Sequence, residues 1–152
     1  MKKIIILIAV IFLYGLSQAQ INEGQDGLFY ADNNTLYNGT YEEFYNDGSL
    51  KLTMELHNGL ADGKSVIYYK NGNIKEIRSY KNGKFNGTWI TYSEKGKRIG
   101  VANYKNNKKN GDWYIWSESG NLKYQMEYKM GKKTGIWKEY NTNGEVIQDK
   151  KY

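Results

Sequence analysis

Two sets of side chains in this chain recur at a spacing that could do chemistry. The first is a series of lysines, Lys81, Lys84, Lys105, Lys108, Lys109, Lys129, Lys132 and Lys133, at equivalent places in successive segments. If stacking lines their ammonium groups up along one edge, they would attract the phosphates or carboxylates of lipid headgroups or of an envelope polysaccharide. Such binding weakens with salt; the plain alternative is a solvated row of turn lysines. The second set is aromatic: Tyr41, Trp89, Trp113 and Trp137, with Trp116, Tyr92 and Tyr140 close by. Rings repeated this way read first as packing. The functional alternative is an exposed platform for a sugar, a peptide or a loop of another protein.

Catalytic constellations are not found. The chain has one histidine, His57, and no cysteine, so metal binding through imidazole or thiolate clusters is excluded by composition. His57 stands in the slot that Lys81, Lys105 and Lys129 fill later, and reads as a solvated turn residue. Asp26 and the Glu42-Glu43 pair are acidic but do not recur with the lysines and rings, and no nucleophile elbow, phosphate loop or dinucleotide fingerprint is present. The expectation is a protein that is not an enzyme and uses no cofactor.

What must position the lysines and rings is a 24-residue clock. Glycine recurs at Gly39, Gly63, Gly87, Gly111 and Gly135, and in parallel at Gly48, Gly72, Gly96, Gly120 and Gly144. A third series, Gly59, Gly83 and Gly131, lapses only at Asn107, the substitute best able to accept a left-handed backbone. A period held without insertion marks a repeat architecture, in which one unit stacks on copies of itself. Within each unit an aromatic stands five residues after the first glycine (Phe44, Tyr68, Tyr92, Trp116, Tyr140), and a turn such as Asn46-Asp47-Gly48 follows. A returning strand then alternates apolar and charged residues, closing on Leu56, Tyr80, Tyr104, Tyr128 and Tyr152. Asn-Gly and Asp-Gly between such runs are hairpin signals, and two glycines per unit argue against helix.

The predicted fold is therefore all-β: an elongated antiparallel β-meander of five stacked 24-residue β-hairpin repeats over 36–152, with a short capping hairpin over 20–35. The absence of proline suits paired strands. The charged edge strand around Asp149, Lys150 and Lys151 reads as the other cap. Residues 1–19 read as a secretory signal peptide: Lys2 and Lys3, an apolar run from Ile4 to Leu16, then Ser17-Gln18-Ala19. The competing reading is an uncleaved anchor, but the run is shorter than the roughly 20 residues of a spanning helix. The expected location is the periplasm or the medium, with no transmembrane helix after cleavage. The leader holds two of the 22 basic residues and none of the 16 acids, so the remaining balance is +4, a mild preference for anionic partners.

The pattern Asn-Gly-x-Trp-x-x-Tyr-x-x-x-Gly-x-Leu-Lys followed by Tyr-Lys-Asn-Gly-Lys resembles the MORN repeat in its bacterial variant form. It is carried by Asn86-Gly87-Thr88-Trp89 with Tyr92, by Asn110-Gly111-Asp112-Trp113 with Gly120-Asn121-Leu122-Lys123, and by Tyr80-Lys81-Asn82-Gly83-Lys84. The resemblance implies rows of β-hairpins that bind another protein or acidic lipid, and it includes antitoxins of the YwqK type. The functional expectation is a non-catalytic exported scaffold for protein–protein interaction, with toxin neutralisation as one form. The alternative is a binder of anionic lipid or glycan through the lysines. Nucleic acid is disfavoured by the expected export.

Overall fold

A computed structural model describes residues 21–152; the leader read at 1–19 lies outside the described residues. The chain forms β1 (Asn22–Glu23), β2 (Phe29–Tyr30), β3 (Gly39–Phe44), β4 (Leu50–His57), β5 (Leu60–Tyr68), β6 (Ile74–Lys81) and β7 (Lys84–Phe85). It continues through β8 (Gly87–Tyr92), β9 (Arg98–Lys105), β10 (Lys108–Lys109), β11 (Gly111–Trp116), β12 (Leu122–Lys129), β13 (Lys132–Tyr140) and β14 (Val146–Lys151). From β3 to β14 the strands form one open antiparallel sheet in the order β3-β4-β5-β6-β8-β9-β11-β12-β13-β14. The short β7 and β10 precede β8 and β11 across breaks at Asn86 and Asn110, and they pair with β6 and β9. The all-β meander of five hairpin repeats is thus the observed architecture.

Two kinds of turn alternate. At the inner turn of each unit the Gly48 amide donates to the Tyr45 carbonyl and the Tyr45 amide to the Ser49 carbonyl, and only Gly48 has positive φ. That is a three-residue loop closed by a left-handed residue, which is why glycine returns there at every cycle. Between units the turn has two residues, both left-handed: Asn58-Gly59, Asn82-Gly83, Asn106-Asn107 and Met130-Gly131. Asn107, at φ 65, does take the left-handed backbone in place of glycine.

The two-residue turns also clasp the unit before them. The amides of Gly59, Gly83, Asn107 and Gly131 donate to the carbonyls of Tyr37, Ala61, Phe85 and Lys109 at 2.8–3.0 Å. Side chains reinforce the clasp where Asn58 donates to Asn38 Oδ1 at 2.8 Å and Met130 to Asn110 Oδ1 at 3.2 Å. Successive turn tips are held in line by these bonds.

Two irregularities recur with the period and decide which side chains share a face. One lies at the glycine of each outgoing strand: at Gly63 (φ +119) the strand bulges, and a Cβ there would strike the Glu55 carboxylate. The other lies one residue into each returning strand, where Lys51, Lys75, Ile99, Lys123 and Ile147 are extra residues in the register. The second bulge corrects an expectation of unbroken alternation along that strand. It places Leu50, Ile74, Leu122 and Val146 opposite Phe44, Tyr68, Trp116 and Tyr140, on the face away from the strand-closing Leu56, Tyr80 and Tyr128.

The sheet has no second layer among the described residues. Leu56 (4 % exposed) and Tyr128 (9 %) are its buried apolar side chains, and most others are half-covered. The cap predicted before the first repeat is a small sheet of β1 and β2 with a further bridge from Tyr30 to Leu36. Phe29 docks it, donating its amide to the Gly59 carbonyl and laying its ring 5.0 Å from Tyr41. The Tyr30 hydroxyl donates to Asp26 at 2.7 Å, and this bond chiefly holds the Asp26 carboxyl below its ordinary pKa.

Met130 occupies the first turn position where the other copies have asparagine, at φ 50, and its side chain is 44 % exposed. Little burial offsets the cost of a left-handed backbone there. Met130→Asn is therefore expected to stabilise the protein by about 1 kcal/mol, and Asn106→Met to lose a similar amount, read as shifts of the urea midpoint. Unchanged midpoints for both would show that these turns carry no such strain.

Candidate functional site

The rings of the outgoing and returning strands interleave into one continuous ladder. Tyr80, Phe85, Trp89, Tyr104, Trp113, Tyr128, Trp137 and Tyr152 follow one another with centroid distances of 4.5–5.2 Å, all tilted or edge-on. Each such contact contributes about 0.5–1.5 kcal/mol beyond the area it covers. Trp113 and Trp137 are fixed further by donating Nε1 to the Asn103 and Glu127 carbonyls, both at 3.0 Å. Trp89 Nε1, by contrast, has no hydrogen-bond partner. Burial pushes the Tyr104 hydroxyl above the usual phenol pKa, so that ring stays neutral. Apart from the buried Tyr128 and the exposed Tyr152 the rings are half-covered, so the ladder both packs and shows one surface to solvent.

Of the aromatic residues predicted to act together, the structure joins Trp89, Trp113 and Trp137. The ring contact of Tyr41 is with Phe29 before the first repeat, because Leu56 and then Ser65 stand where the next two rings would be. Ser65 is 2 % exposed, and its register partners are Met54 and Arg78. Arg78 lies 4.7 Å over the Trp89 ring while paired with Glu76 at 2.6 Å. Desolvation pulls the Arg78 pKa down, but the bonds to Glu76 and Tyr80 outweigh it and the guanidinium remains charged.

Trp116 does not belong to the ladder. Three residues separate it from Trp113, which in an extended strand puts it on the opposite face. There it stacks 5.7 Å from Tyr114 and carries the Arg98 guanidinium at 4.7 Å. The same face bears an aliphatic row across the strands, Val66, Ile77, Ile90 and Val101, half-exposed and followed by Tyr114. This row is a second apolar surface of the sheet, which the spacing of rings and lysines does not report.

The lysines divide as well. Lys81 and Lys84, Lys105 and Lys108, Lys129 and Lys132 are direct cross-strand partners flanking the two-residue turns. All six are exposed, and none takes part in either ion pair found among the described residues, Lys51–Glu43 and Arg78–Glu76. Lys109 and Lys133, predicted as part of the same stripe, instead fold over the ladder: Lys109 Nζ is 4.3 Å from the Trp113 ring centre and 4.8 Å from Tyr128. Lys133 Nζ sits 4.2 Å from Trp137 and 4.7 Å from Tyr152. They follow Lys108 and Lys132 by one residue and so point to the other side of the sheet. Contacts of this kind contribute about 0.5–1 kcal/mol at exposed sites.

Near its last strand the ladder face dips into an open groove of about 370 Å³ between Ile115, Tyr124, Met126, Trp137, Glu139, Gln148, Lys150 and Tyr152. The Tyr124 hydroxyl donates to Glu139 across it at 3.1 Å, which raises the Tyr124 pKa. No group of three or more His, Cys, Asp or Glu side chains suited to a metal occurs among the described residues, and no helix among them is long and apolar enough to cross a membrane. The arrangement offers surfaces for binding: rings on one face, ammonium groups on one edge.

Compared with known families, the chain matches the model of the MORN repeat variant five times, over residues 37–58, 61–82, 85–106, 109–130 and 133–152. The first four matched segments each end on the first residue of a two-residue turn. No curated protein matches it.

Removing one rung tests how much the ladder holds. Trp113→Ala is expected to destabilise by about 2–3 kcal/mol, short of the 3–5 for a fully enclosed aromatic because part of the ring already meets solvent. Trp116→Ala, off the ladder, should cost less in the same urea titration. Equal losses would mean that the ladder is no more important than the opposite face.

Proposed function

The chain belongs to the MORN repeat variant family, and from that premise we propose that it is a non-catalytic scaffold binding another protein on the ladder face. The family is a binding repeat rather than a catalytic one, generally engaging proteins or membrane lipids. The observation that carries the reading is the aromatic ladder itself, half-exposed on a sheet with no covering layer among the described residues. Rigid rings with polar tips lose little conformational freedom on binding, and aromatic residues are enriched where partners dock. The exposed Ile115 and the groove beside Trp137 add apolar relief to that surface. Export fits this role: the basic start, apolar run and Ser17-Gln18-Ala19 support a protein that meets its partner in the periplasm or the medium. Neutralisation of a toxin is one form that such binding would take.

A second reading is favoured by a separate observation. Six exposed lysines without ion-pair partners line one edge of the sheet, and they suit an anionic lipid or glycan.

The two readings part in a capture experiment with the chain as bait on envelope and culture-medium extract, eluted by a salt gradient. The expected result is one stoichiometric protein that survives high salt and is lost from the Ile115→Lys bait. That variant alters an exposed ladder-face residue and should change stability by no more than about 0.5 kcal/mol. Release of lipid or polysaccharide at moderate salt, with no stoichiometric protein, would overturn the first reading in favour of the second. A turnover reaction abolished by a single side-chain change would overturn both.

A further inference from the structure

We propose that the lysine edge binds a linear polyanionic glycan lying along the row of turns, its acidic groups on the lysines and its hydroxyls on the polar band beside them. The inference rests on the second reading above and narrows it from any anionic ligand to one of this shape.

The lysines are arranged against the interest of the fold. In each of three turns two ammonium groups stand directly opposite each other, a placement that destabilises paired strands. The turn does not require them, because His57 and Leu60 fill the same positions in the first unit. None of the six forms an ion pair, and the one carboxylate bonded to these turns among the described residues, Asp62, accepts the Asn82 amide at 3.4 Å rather than a lysine. Three repetitions of an unfavourable pair point to a ligand that relieves it.

Geometry gives that ligand its shape. Units recur every second strand, so the pairs are spaced by about 10 Å and the three together span roughly 20 Å. The turn-to-carbonyl clasps of Gly83, Asn107 and Gly131 hold them in line. By strand alternation the six side chains rise on one face, the face opposite the ladder. The next row on that face is polar: Lys64 pairs with Ser79, and Thr88 pairs with Asn103. Thr88 Oγ1 donates to Asn103 Oδ1 at 2.8 Å, and the Ser79 hydroxyl reaches the Thr88 carbonyl at 3.1 Å. Hydroxyl and amide groups beside cations suit a sugar chain. A bilayer surface asks instead for apolar side chains next to the cations to enter the headgroup boundary, whereas here the polar row stands between the lysines and the aliphatic row of Val66, Ile77, Ile90 and Val101. Beside the third pair the band turns acidic, with Asp112 opposite Glu127. The first two pairs are therefore the stronger half of the site.

Size-fractionated chondroitin sulfate oligosaccharides, dextran as a neutral control, and phosphatidylglycerol–phosphatidylcholine vesicles test this on the folded chain by calorimetry and co-sedimentation. Affinity for the sulfated series should climb with length until the oligosaccharide spans roughly 20 Å and then level off, as a multivalent contact does. Dextran should not bind. Replacing Lys81, Lys84, Lys105 and Lys108 with Gln should weaken the longer oligosaccharides at least about tenfold, and replacing Lys129 and Lys132 by less than about threefold. All these side chains are exposed, and circular dichroism confirms that the variants keep their fold. Binding to vesicles but not to the oligosaccharides, or glycan binding indifferent to length, would overturn the inference while leaving the anion-binding reading intact. Failure of both probes to bind would remove both.

Discussion

A sheet one layer thick has no interior, and every other feature of this protein answers to that constraint. A unit of two strands covers neither of its faces, so its stability comes from the units on either side. Three links cross each junction between units: the backbone ladder, the clasp from turn tip to carbonyl, and on one face the chain of rings. They are not equally strong everywhere. Between the first and second units Leu56 and Ser65 stand at ring positions, so the chain of rings does not cross that junction, and further along Trp89 Nε1 lacks a bond. Arg78, opposite Ser65 in the register and held by Glu76, lies across Trp89. The first unit is therefore joined to the other four by the backbone ladder and the clasp without the chain of rings.

The bulges give this single layer two distinct chemical surfaces. An extra residue early in each returning strand moves its first aliphatic side chain to one face and the strand-closing ring to the other. Adjacent lysines then serve different ends. Lys108 and Lys132 stand at the edge beside a second lysine, whereas Lys109 and Lys133 lay their ammonium groups on Trp113 and Trp137. One residue of displacement separates surface charge from a contact that supports the rings.

Most of the architecture could be read from the chain, because glycine spacing reports directly on backbone conformation. Gly48 and its successors mark left-handed turn positions, and Asn107 was readable as their substitute because asparagine tolerates the same conformation. Site geometry was less legible. Grouping Trp116 with Trp113 ignored a signal already present, since an odd separation in a strand changes face. The split of Lys109 and Lys133 from the edge lysines follows from the same parity. The bulge at Lys51, Lys75 and Lys123 carries no such mark, as lysine there looks like any outward-facing strand residue; it arises from register with the partner strand. Half-burial of the rings was also not written locally, because it depends on whether a second layer exists.

The clasp between turn tip and preceding carbonyl has a consequence for how such a chain changes over generations. It uses only backbone groups and a left-handed pair of residues, so any unit can follow any other. Duplicating or deleting one 24-residue segment in frame would leave a backbone clasp available at every junction. The length of both surfaces is then an inherited quantity adjustable in whole steps, and copy number, rather than point substitution, is the natural variable by which relatives built this way would diverge in reach.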